Sequence, residues 1–231
     1  MIVSNPAVSP VTGWPTGFWA AELTHPWVEF VDASYQVELA SPKGGKVAVD
    51  AYSDPRDASG YSKHDIISLG VLSNPGMAAM FEKTTALASL KPENYDAVFV
   101  CGGQAPMVTF PEDTALHTFL ARAYEAGKIV ALVCHGTCAL LKVRLSDGKL
   151  LVDGKTWTGF ANSEERFAEQ AVGGKLQPFW IEDEAKKIAG TNFITHDAFE
   201  PFAVRSGRLI TGQQQNSGRA AARLVIEALG R

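Results

Sequence analysis

Two unbroken apolar runs, Ala97-Val98-Phe99-Val100-Cys101 and Ile129-Val130-Ala131-Leu132-Val133, stand out from a chain whose apolar positions otherwise recur mostly at helical spacing. Runs of this length suit strands covered on both faces, because alternate side chains then enter two different layers of core. Between them, residues 114–126 place Leu116, Phe119, Leu120, Ala123 and Tyr124 on one stripe, with Gly127 where a left-handed cap would end the helix. Helical patterns also occur at residues 18–33, 65–69, 76–90, 163–172 and 181–189. A last helix, capped by Asn216 or Ser217, would bury Ala220, Ala221, Leu224, Val225 and Ala228. In the first of these stretches Thr24 is placed to cap a helix with Pro26 in its first turn, which leaves Glu22 on the segment just before. Residues 36–40 and 192–195 read as short strands. Hairpins are expected within residues 145–158, around Asp147-Gly148 and Asp153-Gly154, and within 202–213, turned at Ser206-Gly207. Met1 to Asn5 leaves room for only a brief first strand. Apolar strands alternating with amphipathic helices predict an α/β fold, a mostly parallel sheet with helices on both faces and small hairpin insertions.

Composition narrows this picture. A chain of 231 residues with 46% hydrophobic content can build a sizeable core, and one domain over residues 1–231 is expected. A net charge of -4 without a Lys/Arg-rich run argues against a nucleic-acid partner, and no apolar stretch is long enough to cross a bilayer. Three cysteines without framework spacing point to free thiols in a reducing compartment, the cytoplasm. His25, His64, His117 and His196 show no metal-ligand spacing, so no metal is expected.

Chemistry concentrates where the second apolar run meets Cys134-His135-Gly136-Thr137. A buried strand that turns into a helix without a loop lifts the residue at the corner above the end of the sheet, the arrangement of a nucleophile elbow. Cys134 occupies that corner, and the helix tip beneath it would favour the thiolate. A small buried thiol with no chemistry fits the same stretch. Gly102-Gly103 closes the first apolar run, so both motifs fall at strand ends, where open α/β sheets gather their ligands. Glycines there bring backbone N–H groups close to a ligand and to a developing oxyanion. Trp14, Phe18, Trp19, Trp157 and Phe160 are candidates for the walls of such a pocket or for the core.

Tyr95-Asp96-Ala97-Val98-Phe99-Val100, Gly102-Gly103 and Val133-Cys134-His135-Gly136 together resemble the ThiJ/PfpI superfamily, whose members share a flavodoxin-like three-layer sandwich with class I glutamine amidotransferases. Thr16-Gly17-Phe18 with Glu22 and His25-Pro26, Ser41-Pro42-Lys43-Gly44-Gly45, Val49-Asp50 and Ser53 resemble the branch of heat-shock chaperones and glyoxalase III enzymes. So do Thr158-Gly159-Phe160 with Glu164-Glu165, Ile181-Glu182-Asp183-Glu184 and Leu209-Ile210-Thr211-Gly212-Gln213. The resemblance spans nearly the whole chain. It implies Cys134 as nucleophile, His135 as the histidine of a triad, Glu165 as its acidic partner, and Glu22 as the carboxyl group against the thiol. Where much of the branch has Gly-Gly-His-Gly, this chain has Gly102-Gly103-Gln104-Ala105, which alters the pocket rim at Gln104.

The implied reaction converts methylglyoxal to lactate without a cofactor. The thiolate forms a hemithioacetal, Glu22 or His135 moves a proton between adjacent carbons, and the amides of Gly103 and His135 hold the enediol. A stress holdase is the alternative from another class. A thiol-dependent amidase, peptidase or hydratase acting on another small electrophile is a third. The branch implies a homodimer acting on a small carbonyl compound.

Overall fold

In the computed structural model, which describes residues 1–230, the two apolar runs lie side by side. Ala97–Val100 pairs in parallel with Ile129–Val133, Val98 opposite Val130, and Ile129–Val133 pairs in parallel with Leu209–Gly212 on its other side. Leu209–Gly212 carries Ala203–Ser206 antiparallel at the edge. Beyond Ala97–Val100 the brief first strand is a single bridged residue. Ile2 is bridged in parallel to both Val100 and Ala40, and Ala40–Ser41 pairs in parallel with Thr85–Ala86. The strand pairings in this sheet are parallel except the one made by Ala203–Ser206, and the Gly45–Thr84 bridge beside the Ala40–Ser41 edge is antiparallel. Every residue of the central strand Ile129–Val133 is buried, so helices must cover both faces. Gly218–Ala228 packs on it and against Ala20–Asp32, and Thr114–Glu125 packs on it and on Ala97–Val100. This is the α/β arrangement that the pattern predicts and the flavodoxin-like sandwich that the resemblance implies.

Several elements differ from the pattern because tertiary pairing overrides local periodicity. The helix expected over residues 76–90 is Pro75–Glu82, begun by Asn74, whose side chain accepts from the amides of Gly76 and Met77. After it the chain turns extended, because Thr84 and Gly45 exchange backbone hydrogen bonds that draw Thr85–Ala86 onto the sheet edge. Residues 36–40 contribute only Ala40–Ser41, and the helix at residues 181–189 is only Ile181–Ala185. The Asp147-Gly148 turn brings Arg144 opposite Leu150, but Thr156–Trp157, beyond Gly154, pairs in parallel with Asn192–Phe193 and makes no second hairpin. Ser217 stands at the start of the last helix without capping it. Its hydroxyl accepts from the amides of Phe202 and Gln214 instead, and the buried face is Ala221, Ala222 and Val225.

The most consequential difference lies in the first helix. It begins at Ala20, so Glu22 sits in its first turn and Pro26 in its interior, while the Thr24 hydroxyl bonds that of Ser68 at 2.7 Å rather than capping anything. Proline has no N–H, so the carbonyl of Glu22, four residues earlier, loses its helical partner. The thiol of Cys101, at the end of the neighbouring strand, donates to that carbonyl at 3.2 Å. One side chain thus satisfies the orphaned acceptor and ties the Glu22 turn to the end of Ala97–Val100. Cys101→Ala removes the donor without adding bulk at a fully buried position. We expect a loss of about 1–2 kcal/mol, read as a lower urea midpoint at unchanged slope; an unchanged midpoint would show the contact to be idle.

Candidate active site

Ile129–Val133 ends in an extended Val133, and Cys134 follows with φ +55°, opening the tight helix Cys134–Leu141. A left-handed residue with a side chain costs on the order of 1–3 kcal/mol and persists only where the surroundings enforce it. Here the Thr137 hydroxyl donates to the Cys134 carbonyl at 2.6 Å and closes the corner. The side chain is 3% exposed and lies beyond the carboxyl end of the sheet. Because the adjacent strand is parallel, Gly102 and Gly103 arrive at the same level. A Cβ on Gly102 would stand 2.8 Å from the amide nitrogen of His135 and 2.7 Å from Glu22 Oε2.

Glu22 is fully buried against the sulfur. Its Oε2 accepts the Gly102 N–H at 2.6 Å, while Oε1 makes no hydrogen bond among the described residues, and the Cys134 thiol is the side chain that most opposes the effect of burial on the carboxyl. Burial is the largest influence on the carboxyl and pushes its pKa up to about 8, against the pull of the bonds from Cys134 and Gly102. Burial, and then the neighbouring carboxyl, push the thiol well above its ordinary value as well. The backbone amide of His135 pulls the other way but does not prevail. The expected thiolate-stabilising helix tip is therefore outweighed. Both acids are raised chiefly by burial, and in one pocket they titrate as a pair rather than singly.

His135 is buried with its ring against Phe160, the centroids 4.2 Å apart. Its Nδ1 lies 3.8 Å from Cys134 Sγ, and its Nε2 lies 2.9 Å from Glu165 Oε1. Glu164 and Glu165, a charged run suggestive of an exposed face, are both buried. Their tasks differ. Glu164 accepts the amides of Ala161 and Phe199 and the Gln213 side chain, whereas Glu165 faces the histidine.

Gly103 has φ +109°, and a Cβ there would come within 2.4 Å of the Trp19 backbone nitrogen, so only glycine fits. The Gly102 N–H is committed to Glu22, which removes it from the expected oxyanion donors; the Gly103 N–H makes no hydrogen bond among the described residues. Gln104 stands at the rim with its side-chain oxygen accepting from Gln177. Its backbone N–H donates to Asp50 at 2.6 Å, and Gly17 donates to the other Asp50 oxygen at 2.8 Å. Asp50 is the residue that sequence reasoning left without a role. Buried, it is pushed up to about 6 despite those two amides, and it lines the cavity while pinning two of its loops. A lone aspartate in an irregular stretch carried no local signal of this.

The sulfur and the imidazole face a cavity of about 450 Å³. Trp14, Trp19 and Phe160 line it, as the sequence allowed, whereas Phe18 and Trp157 belong to the core. Among the described residues no three His, Cys, Asp or Glu side chains are gathered as a metal ion would require, and no helix is long and apolar enough to cross a membrane.

A parallel α/β sandwich with a left-handed cysteine at the strand-to-helix corner defines a class of cysteine-elbow proteins. Within that class, residues 14–228 match the model of the DJ-1/PfpI family, and the chain belongs to that family. Over 94% of its length it is 30% identical to a probable glutathione-independent glyoxalase of Schizosaccharomyces pombe, of which 92% is covered. Over a similar 94% it is 26% identical to glyoxalase 3 of Candida albicans, of which 91% is covered. The crystal structure of glyoxalase III from Candida albicans aligns with a TM-score of 0.80 at 24% identity, covering 98% of this chain and 95% of that one, a likeness of fold.

Proposed function

We propose that the protein is a glutathione-independent glyoxalase, which rearranges a 2-oxoaldehyde into the 2-hydroxy acid. The observation that carries this reading is the Glu22 carboxyl, with one oxygen held by Gly102 and the other left for the sulfur of Cys134. When the pair holds a single proton, that proton can reside on the carboxyl and leave a thiolate. The sulfur attacks the aldehyde carbon, a C–S bond forms, and the carbonyl electron pair moves to oxygen. Glu22 gives its proton to that oxygen, which completes the hemithioacetal and leaves Glu22 a carboxylate beside the former aldehyde carbon. A base with a pKa near working pH suits the next step. Glu22 removes the C1 proton, the enediol oxygen is held by the Gly103 and His135 amides, the C1 hydroxyl proton passes to the C2 oxygen, and the proton on Glu22 returns at C2. The result is a thioester of the 2-hydroxy acid. His135, oriented by Glu165, then draws a proton from water, which cleaves the C–S bond and restores the thiol. Oxidation at C1 balances reduction at C2, so no external oxidant or reductant enters.

The names of the relatives support this class of substrate, small carbonyl compounds. The three unpaired thiols support a reducing, cytoplasmic setting. The family resemblance adds a homodimer built from one domain per chain. Methylglyoxal incubated with the protein and no added thiol should yield lactate, with kcat/KM rising tenfold per pH unit up to about pH 8 and levelling above it. No lactate at any pH, with aggregation of a client protein still suppressed, would move the assignment to a holdase.

A further inference from the structure

The space above Cys134 exceeds what the smallest 2-oxoaldehyde needs. A cavity of about 450 Å³ falls in the range that encloses a drug-sized ligand. Away from the sulfur its walls are aromatic rings in contact with one another. Trp14 meets Tyr52, Tyr52 meets Tyr61, and Tyr61 stands edge-on to Trp19, with centroids 6.1–6.4 Å apart. Another wall is Phe167 against Phe199 at 5.1 Å.

The charge pattern is equally selective. Among the described residues no lysine or arginine lines the cavity. Asp50 has both oxygens engaged by backbone amides, Gln104 and Gln177 bond one another, and the Thr16 hydroxyl donates to the Ala7 carbonyl. A substrate with a phosphate or carboxylate would meet no lysine or arginine among the described lining residues and would face Asp50. Phe199 adds an independent sign. It is one of three non-glycine residues with positive φ among those described, at +62°, and its backbone is pinned by the Glu164 carboxylate and by Asn216. Strain of that kind in an aromatic residue persists where the fold fixes its position. Tyr61 and Phe167 are 58% and 56% exposed, large rings left partly in water at the mouth. A flat apolar group seated among these rings would cover them.

We propose that the preferred substrate is a 2-oxoaldehyde whose keto carbon carries an uncharged aromatic substituent, held between Tyr61 and Phe167 while its aldehyde carbon rests on Cys134. The inference rests on the glyoxalase reading for its chemistry, and the same atoms move in the same order, phenylglyoxal giving mandelate. The test measures kcat/KM for phenylglyoxal and methylglyoxal in the wild type, Phe167→Ala and Tyr61→Ala. Both substitutions are at half-exposed positions, so folding is retained. We expect phenylglyoxal to be favoured by about tenfold or more, and each variant to lower that ratio at least about fivefold, mainly through the KM for phenylglyoxal. A smaller preference, or a preference that both variants leave intact, overturns the proposal.

Failure of the glyoxalase reading registers separately, as no turnover of either aldehyde. In that event calorimetric titration with acetophenone, which has no aldehyde to react, decides the aromatic seat. Saturable binding with Kd below about 1 mM that Phe167→Ala weakens supports it. Absence of binding, or binding indifferent to Phe167→Ala, overturns it.

Discussion

Cys134→Ala is expected to make no 2-hydroxy acid above the uncatalysed background, a loss of roughly 10⁴-fold or more in kcat. No other thiol can stand in. Cys101 donates to the Glu22 carbonyl, Cys138 donates to the Pro106 carbonyl at 3.5 Å, and both are buried with their pKa values raised by burial. The variant should still fold, because the corner is held by backbone contacts and by the Thr137 hydroxyl. Position 134 allows a control for that claim. At φ +55° glycine is the relaxed residue, so Cys134→Gly should be more stable than Cys134→Ala by about 1 kcal/mol while being equally inactive. Residual lactate from either variant would remove the sulfur from the mechanism.

Glu22→Gln should lower kcat by about 10²–10⁴-fold and make the protein more stable in alkali. Glutamine keeps an oxygen to accept the Gly102 N–H and offers an N–H to the sulfur, but it moves no proton. The stability effect follows from burial. An ordinary carboxyl loses its proton near 4.5, whereas Glu22 in the folded chain keeps it until about 8. Between those values the native state binds more protons than the unfolded chain, so stability falls as pH rises. The contribution is fully present below pH 4.5 and is lost as pH passes 8, a difference on the order of 4–5 kcal/mol. Melting curves of the two proteins should therefore coincide near pH 4 and diverge with rising pH, the variant melting higher at pH 9. Parallel curves across that range would mean that Glu22 carries no raised pKa.

The parts of this site that the sequence declares are those with a local cause. Five apolar residues running into Cys134 read correctly as strand and elbow, and Gly127, at φ +81°, ends its helix where a left-handed cap was expected. Gly103 was legible as a close approach, although its conflict with Trp19 was not. What stayed hidden depends on contacts distant in the chain. Thr24 and Pro26 have the spacing of a helix start, and only the Cys101 contact to the Glu22 carbonyl shows how the helix tolerates an interior proline. Glu164 and Glu165 look like a solvated face until the amides of Ala161 and Phe199 and the side chains of Gln213 and His135 are placed around them. Residues 83–90 continue a helical pattern that the pairing of Thr84 with Gly45 overrules. Asp50 is meaningful only once the loops carrying Gly17 and Gln104 converge on it.

The pairing of Pro26 with Cys101 has an evolutionary corollary. The two positions answer a single requirement, so selection on one is relaxed by change at the other. A descendant that replaces the proline by any residue with an amide hydrogen frees position 101 to become alanine at no cost to the helix, whereas a lineage that keeps the proline should retain a hydrogen-bond donor there. Substitutions at 26 and 101 are therefore expected to arrive in company, in that order.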